Sequence, residues 1–321
     1  MRARINYNHG AAMPDFIDRA RDLPRLGLGI STEYGARRRD GALDPAALRR
    51  REPSYAGFLE VGVELAKGLD DDALAWAAAG LPTTYHFLDV NLDEPEDFDQ
   101  AWLGQMGEAI AALKPAWLCG DAGLWHFGAR DRGHMLLLPP VLVDESVAPM
   151  AEGVRRLRET TGLEVLPENP PGSAFVGDLH LLEFFAKLAE AGDTGLVLDC
   201  AHLAMYQRSR GLPPLTAVDN FPWERVIELH IAGGREEQLD GLGWVEDDHG
   251  VDVLEDTWAI TQAAIERAVN LRAVVVECER NPLDSVLPIF AAARERLAAG
   301  LAPVTGTAPS PAPTTPAEAR R

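Results

Sequence analysis

A closed (β/α)8 barrel is the fold this sequence predicts, and three observations predict it. Short apolar, β-type runs recur eight times, at 25–30, 57–63, 82–87, 115–120, 163–168, 195–199, 226–231 and 272–278. Segments with helical periodicity lie between them, so the runs read as parallel strands joined by right-handed crossovers. Eight such units over roughly 280 residues match the usual size of a (β/α)8 barrel. A doubly wound sheet is the competing architecture, but the chain has no GxGxxG turn and no GxxxxGK(S/T) loop to support one.

In chain order, residues 1–22 read as an irregular segment, followed by the strands RLGLGI, GFLEVGV and PTTYHF. Asp97 reads as the N-cap for a helix that carries Phe98, Trp102, Met106, Ile110 and Leu113 on one face. PAWLCG is the fourth strand. The glycine-containing stretch after it, with His126 and His134, reads equally as a substrate loop or an ordinary excursion. LEVLPE follows, then a helical stripe of Leu181, Phe184, Phe185 and Leu188, then GLVLD and VIELHI. A weaker stripe of Trp258, Ile265 and Val269 precedes the last strand, RAVVVEC. Residues 23–299 therefore form one barrel domain. Residues 300–321, rich in Pro, Ala and Thr, cannot bury apolar surface and read as a disordered tail.

Charge narrows the partners. Fifty acidic against 30 basic residues give a net charge of −20, a field that repels phosphate backbones and anionic membranes. Nucleic acid and membrane are thus excluded as expected partners. The N-terminus lacks the apolar core of a signal peptide, and no stretch approaches the ~20 apolar residues of a membrane span. Three cysteines without CxxC spacing make no disulfide framework, which fits a reducing cytoplasm.

The chemistry concentrates at strand ends. His86, Asp121, Glu168, Asp199, His202, His230, His249 and Glu277 end successive strands or begin the loops after them, and Asp247 stands two residues before His249. Taken singly, each also fits an N-cap, a loop anchor or a hydrogen-bonded core residue. Taken together they face one mouth, where several carboxylates without cations would repel one another or protonate. Two or three divalent ions remove that conflict. Asp199 and His202 suit a strand-end ligand and a first-turn ligand, and Asp247 and His249 point the same way if their segment is extended. Mixed nitrogen and oxygen donors suit iron, zinc or manganese. Cys200, between two of these residues, reads as structural, and Asn169 reads equally as an orienting residue or a turn before Pro170.

In order and motif, the segments FLEVGVE, YHFLDVNL, GDAGLWHF, LPENP, LDCAHLAMY, ELHIAGG, DDHG and VVVECE resemble a known family. Broadly the pattern is similar to the xylose isomerase-like and endonuclease IV-like barrels. More closely it resembles the multinuclear non-heme iron-dependent oxidases that include MbnB, over about residues 25–298. That resemblance implies a TIM barrel with two or three irons. It also implies O2-dependent remodelling of a cysteine or other residue of a small peptide, usually with a partner protein that binds the peptide. Glu168 and Glu277 are then the catalytic candidates, bridging metals. The wider superfamily implies an alternative, a sugar isomerase or epimerase in which Mn, Zn or Mg holds a small polyol and the same two glutamates shuttle a proton. The family commonly has histidine where this chain has Gly62, an acid–histidine pair at Asp121-Ala122, and asparagine at Leu65. These departures bear on a third metal and on the substrate accepted.

Overall fold

The computed structural model describes residues 14–32, 40–128, 130 and 136–300. The tail, His134 and the first 13 residues lie outside that set. The eight expected strands are present: β1 (Gly27–Ser31), β2 (Phe58–Val63), β3 (Thr83–Phe87), β4 (Leu118–Asp121), β5 (Val165–Glu168), β6 (Leu196–Asp199), β7 (Val226–Ala232) and, after a hairpin of β8 (Gly234–Leu239) and β9 (Leu242–Asp247), β10 (Ala273–Glu277). They close in the order β1-β10-β7-β6-β5-β4-β3-β2, every pair parallel. Each barrel strand is followed by a helix: α2 (Pro45–Arg51), α3 (Asp71–Ala78), α4 (Gln100–Leu113), α5 (Asp144–Thr161), α6 (Leu181–Gly192), α7 (Cys200–Ser209), α8 (Glu255–Arg267) and α9 (Leu283–Gly300). This is a (β/α)8 barrel.

Strand alternation decides what faces inward. On β2, Leu59, Val61 and Val63 pack outward against the helices, while Phe58 packs in a separate cluster inside the barrel. That inner cluster also holds Trp117, Cys119, Leu166, Val197, Ile227, Ala273 and Val275. Phe16 and Ala20 of the short helix α1 (Phe16–Ala20) join it and close the barrel floor. Arg19 fastens α1 with bonds to Glu164 (2.6 Å) and Asp193 (2.7 Å). So the described part of the segment expected to be irregular, from residue 14 on, is instead a short helix that plugs the barrel and belongs with it. The opposite, C-terminal end of the strands is the open mouth.

Three sequence expectations need correction. The N-cap of α4 is Asp99, whose carboxylate accepts from the Ala101 and Trp102 amides at 2.9 Å each. Asp97 ends a preceding 3-10 turn opened by Pro95, and its carboxylate instead accepts from Asn91 N–H at 2.7 Å. Val269 lies beyond the end of α8 and is 74% exposed, because the helix stops at Arg267 and the chain turns toward β10. The segment around Asp247 and His249 is not extended throughout: Asp247 ends β9, and His249 is left-handed with φ 50°. Its place over the mouth comes from a close backbone crossing. A Cβ on Gly233 would meet the Gly250 carbonyl oxygen at 2.4 Å, so glycine there allows the two loops to touch.

Candidate metal centre

The nine sequence candidates converge on one polar centre. His86, Asp121, Glu168, His202, Asp247, His249 and Glu277 line a cavity of about 110 Å³, with Ser31, Thr32, Glu60, Gly62, Leu88, Trp125, Leu137, Pro171 and Glu279 completing its wall and rim. Asp199 and His230 lie just beneath, fully buried.

Glu168 is the hub. Its Oε2 is 2.8 Å from His86 Nε2, and its Oε1 is 3.0 Å from His230 Nδ1 and 3.7 Å from His202 Nδ1. Asp121 Oδ2 stands 3.9 Å from the same His86 nitrogen, and Glu277 Oε1 is 3.6 Å from the same His230 nitrogen. Three overlapping groups have ligand atoms all within 4.8 Å of one another: His86, Asp121 and Glu168; Glu168, Asp199 and His202; Asp199, His230 and Glu277. A carboxylate shared between neighbouring triads is placed to bridge cations.

Nearer solvent is a second arrangement. Asp247 Oδ2 lies 3.3 Å from His202 Nε2 and 3.3 Å from His249 Nε2. Each imidazole has its other nitrogen occupied. His202 Nδ1 is 2.8 Å from the Asn169 carbonyl, and His249 Nδ1 is 2.7 Å from Glu279 Oε1. Such a partner accepts a hydrogen bond from Nδ1–H, holding the proton there and leaving Nε2 as a metal donor. Asn169 therefore orients: besides holding His202, it exchanges hydrogen bonds with the Asp199 backbone, both 2.9 Å. Asp199 does two jobs. Its Oδ1 caps α7 through the His202 amide, and its buried Oδ2 has no hydrogen-bond partner among the described residues.

The fit to cations rests on such orphaned atoms. Asp121 Oδ1, Asp199 Oδ2, Asp247 Oδ1, Glu277 Oε2 and both nitrogens of His230 are buried without a well-aligned hydrogen bond. Native interiors leave few polar atoms so, and clustering them at one point is the signature of a missing partner. The electrostatics agree. Burial pushes Glu277 up to about 8 and Asp121 up to about 7, with neighbouring Glu168 adding to both shifts. Burial disfavours charge on His86, yet Glu168, Glu60 and Asp121 override it and raise the imidazole to about 9. Burial would also raise Glu168 and Asp247, but the imidazoles beside them hold both well below the usual carboxylate range.

Four contributors were missing from the sequence reading. Glu60, Cys119, Glu228 and Glu279 face the same interior, and all are buried. The signal that finds the first three is strand alternation: each lies two residues before an inward position, Gly62, Asp121 or His230. Glu279 likewise lies two residues after Glu277. His126, by contrast, anchors its own loop, with Nε2 at 2.9 Å from Asp97 and Nδ1 at 2.7 Å from the Gly128 carbonyl. That loop still contributes Trp125 and Leu137 to the cavity wall. Cys200 packs in the apolar layer between barrel and helices, as a structural residue does.

The model of the family described as RiPP precursor modification enzyme MbnB/TglH/ChrH matches residues 41–295. Among curated relatives, a UPF0276 protein of Anaeromyxobacter sp. is 22% identical over 58% of this chain and 65% of its own length. Another from Rhizobium meliloti is 26% identical over 65% of this chain and 69% of its own. The chain thus spans about two thirds of the length of these relatives. Among solved structures, a xylose isomerase-like TIM barrel protein from Mycobacterium smegmatis, in complex with magnesium, superposes with a TM-score of 0.57. The identity is 13%, covering 88% of this chain and 99% of that one. The IolI protein with a bound zinc atom gives 0.54 at 12% identity, over 86% and 99%. At such identity these two establish the barrel fold alone.

Proposed function

This chain belongs to the MbnB/TglH/ChrH family of RiPP precursor modification enzymes, and on that premise we propose that it is a multinuclear iron-dependent oxidase that uses O2 to modify one side chain of a small peptide. The observation that carries the reading is the hub at Glu168, a single buried carboxylate within 3.7 Å of three imidazoles and ringed by orphaned carboxylate oxygens. Glu168, His86 and Asp121 would hold one ion, His230, Asp199 and Glu277 a second, and His202, Asp247 and His249 complete the outer positions. Iron bound there supplies a Lewis acid and an electron donor for O2.

The chain's own residues have separate tasks. Asn169 and Glu279 fix the tautomers of His202 and His249, so that Nε2 of each faces the cavity. In the metal-free site burial raises the Glu277 carboxyl to about 8, so uptake of a cation there would displace a proton near neutral pH. Trp125, Leu137 and Pro171 form an apolar rim that limits water. A cavity of about 110 Å³ has room for one side chain, well below the roughly 300–1,000 Å³ of pockets that enclose a whole drug-sized ligand. That size favours a peptide that inserts a residue, such as a cysteine, while its bulk stays outside. A separate peptide-presenting protein would then hold the remainder. Free buried cysteines suit work in the cytoplasm, and no helix among the described residues is long and apolar enough to cross a membrane.

One observation favours a second reading. Glu168 Oε1 and Glu277 Oε1 stand together in one cavity, 3.0 and 3.6 Å from the same His230 nitrogen, as two carboxylates that shuttle a proton would. A divalent-metal isomerase or epimerase acting on a small polyol would use them. Anaerobic reconstitution with Fe(II), followed by O2-uptake assays with short cysteine-containing peptides, separates the two. Peptide-dependent O2 consumption with two or more bound irons supports the oxidase. Turnover that proceeds without O2, or on sugars with Mn or Mg, removes it.

A further inference from the structure

We propose that the barrel holds an additional, deeper divalent-cation site whose ligands are Glu60, Cys119 and Glu228, with Glu60 bridging to the centre above. It shares with the proposed function only the premise that this barrel takes up divalent cations.

The middle of a (β/α)8 barrel is ordinarily filled by branched apolar side chains. Here Glu60 of β2, Thr84 of β3, Cys119 of β4 and Glu228 of β7 occupy that level, all essentially inaccessible to solvent. Glu60 Oε2 accepts from Cys119 Sγ–H at 3.1 Å and from Thr84 Oγ1–H at 3.2 Å. Glu60 Oε1 is 3.3 Å from His230 Nε2, which links this level to the mouth. Glu228 Oε2 accepts from the Trp117 indole at 2.6 Å, but its Oε1 is buried with no hydrogen-bond partner among the described residues. A purely hydrogen-bonded network would have closed on that oxygen, because an unmet buried acceptor carries its full desolvation cost.

Ligand atoms of Glu60, Cys119 and Glu228 all lie within 4.8 Å of one another. An ion with metal–sulfur and metal–oxygen distances near 2.3 Å and 2.0–2.2 Å spans ligands at about such separations. Cys119 gives the site its selectivity. A thiolate with two carboxylates prefers zinc, iron(II) or cobalt(II) over magnesium or calcium. Entry of the ion displaces the thiol proton, and any proton on the carboxyls, to solvent; nothing is oxidised or reduced. Cys200 and Cys278 sit in the outer apolar layer, so a metal–thiolate bond in this protein comes from Cys119.

The test is X-ray absorption at the zinc edge on the full chain loaded anaerobically with Zn(II), alongside the optical spectrum of the Co(II)-loaded protein. A sulfur shell near 2.3 Å and a thiolate-to-cobalt charge-transfer band are expected in the wild type. Cys119→Ser should remove both and one equivalent of metal, and Glu228→Gln should also lose one equivalent. His86→Ala, a change in the upper cluster, should keep the sulfur signal. If Cys119→Ser does not fold, the wild-type sulfur shell and the Glu228→Gln count decide. Metal bound through nitrogen and oxygen alone overturns the deep site and leaves the proposed function standing. A sulfur signal that persists in Cys119→Ser overturns it too, and failure to bind any metal sinks both.

Discussion

Glu279→Gln tests the logic of the outer arrangement most directly. The Glu279 carboxylate sits behind His249, accepting from Nδ1–H at 2.7 Å and from Ser31 Oγ–H at 3.0 Å. It therefore sets both the tautomer and the basicity of the ring, leaving Nε2 to face Asp247 (3.3 Å) and Glu277 (3.9 Å). Glutamine keeps the shape and one acceptor oxygen but removes the charge. Loss of such a partner typically weakens metal binding about 10–100-fold, or about 1.4–2.8 kcal/mol. The pH dependence has a definite sign. Burial lowers the His249 pKa, but Glu279 and Asp247 override it and raise it well above the ordinary value, so metal must displace a tightly held proton. Without Glu279 that proton is held less tightly, and the deficit of the variant shrinks as pH falls. Anaerobic competition with a chromophoric chelator, run on both alkaline and acidic sides of neutrality, measures it. Equal affinity at every pH would show that His249 binds no metal. A deficit growing toward acid would show that the charge of Glu279 is not what tunes the ring.

Other expectations follow from single contacts. Gly233→Ala pushes a methyl into the Gly250 carbonyl, 2.4 Å from the ideal Cβ; metal analysis should show about one equivalent lost, as the Asp247–His249 segment lifts from the mouth. Phe16→Ala opens the barrel floor, where Phe16 is fully buried. It should cost about 3–5 kcal/mol in denaturant unfolding with metal affinity unchanged. Metal-free protein should lose stability as pH rises from about 6.5 toward about 9. His86 is raised to about 9 in the fold, so its contribution is complete below its unfolded pKa of about 6.5 and lost through the folded value. Glu277, raised to about 8, acts in the same direction, since its proton is held only by the native state. On the order of 3 kcal/mol is at stake for His86 alone, and thermal midpoints of chelator-treated protein against pH read it. Metal-loaded protein should not show the fall.

Much of this was legible because barrels write their sites at strand ends. His86, Glu168, Asp199 and Glu277 each stand at or next to the last residue of a strand, where an apolar run stops at a charged group. What escaped lay one alternation deeper or outside the barrel pattern. Glu60, Cys119 and Glu228 sit inside runs that read as uniformly buried, and the burial of both strand faces hides which residues point inward. Ile227 adds to this, since the register shifts between β6 and β7 beside it. The hairpin β8–β9 did carry a signal, the Asp240-Gly241 pair with φ of 51° and 83°, which suits a tight two-residue turn. Its strands are polar and exposed, so no apolar run marks them. The α4 cap was misplaced by two residues because Asp97 and Asp99 are equivalent in sequence, and only Pro95 and the Asn91 amide distinguish them.

Charge balance argues independently for more than one cation. Glu60, Asp121, Glu168, Asp199, Glu228, Asp247, Glu277 and Glu279 put eight carboxyl groups inside or at the mouth of one barrel, beside the four imidazoles of His86, His202, His230 and His249. No lysine or arginine lines the cavity among the described residues. Protons alone would have to number eight, for instance by charging every imidazole and protonating half of the carboxyls, and even then the orphaned oxygens stay unmet. With histidines neutral, as metal donation requires, the deficit is larger, and one divalent ion leaves most of it. Two ions at the mouth, together with a third at the Glu60–Cys119–Glu228 level, would add six positive charges against eight carboxylates and the Cys119 thiolate, and so would remove most of the imbalance. A mononuclear centre would therefore leave more carboxyls protonated in the loaded protein than a multinuclear one, a difference that infrared absorption of protonated carboxyl groups before and after metal addition can count.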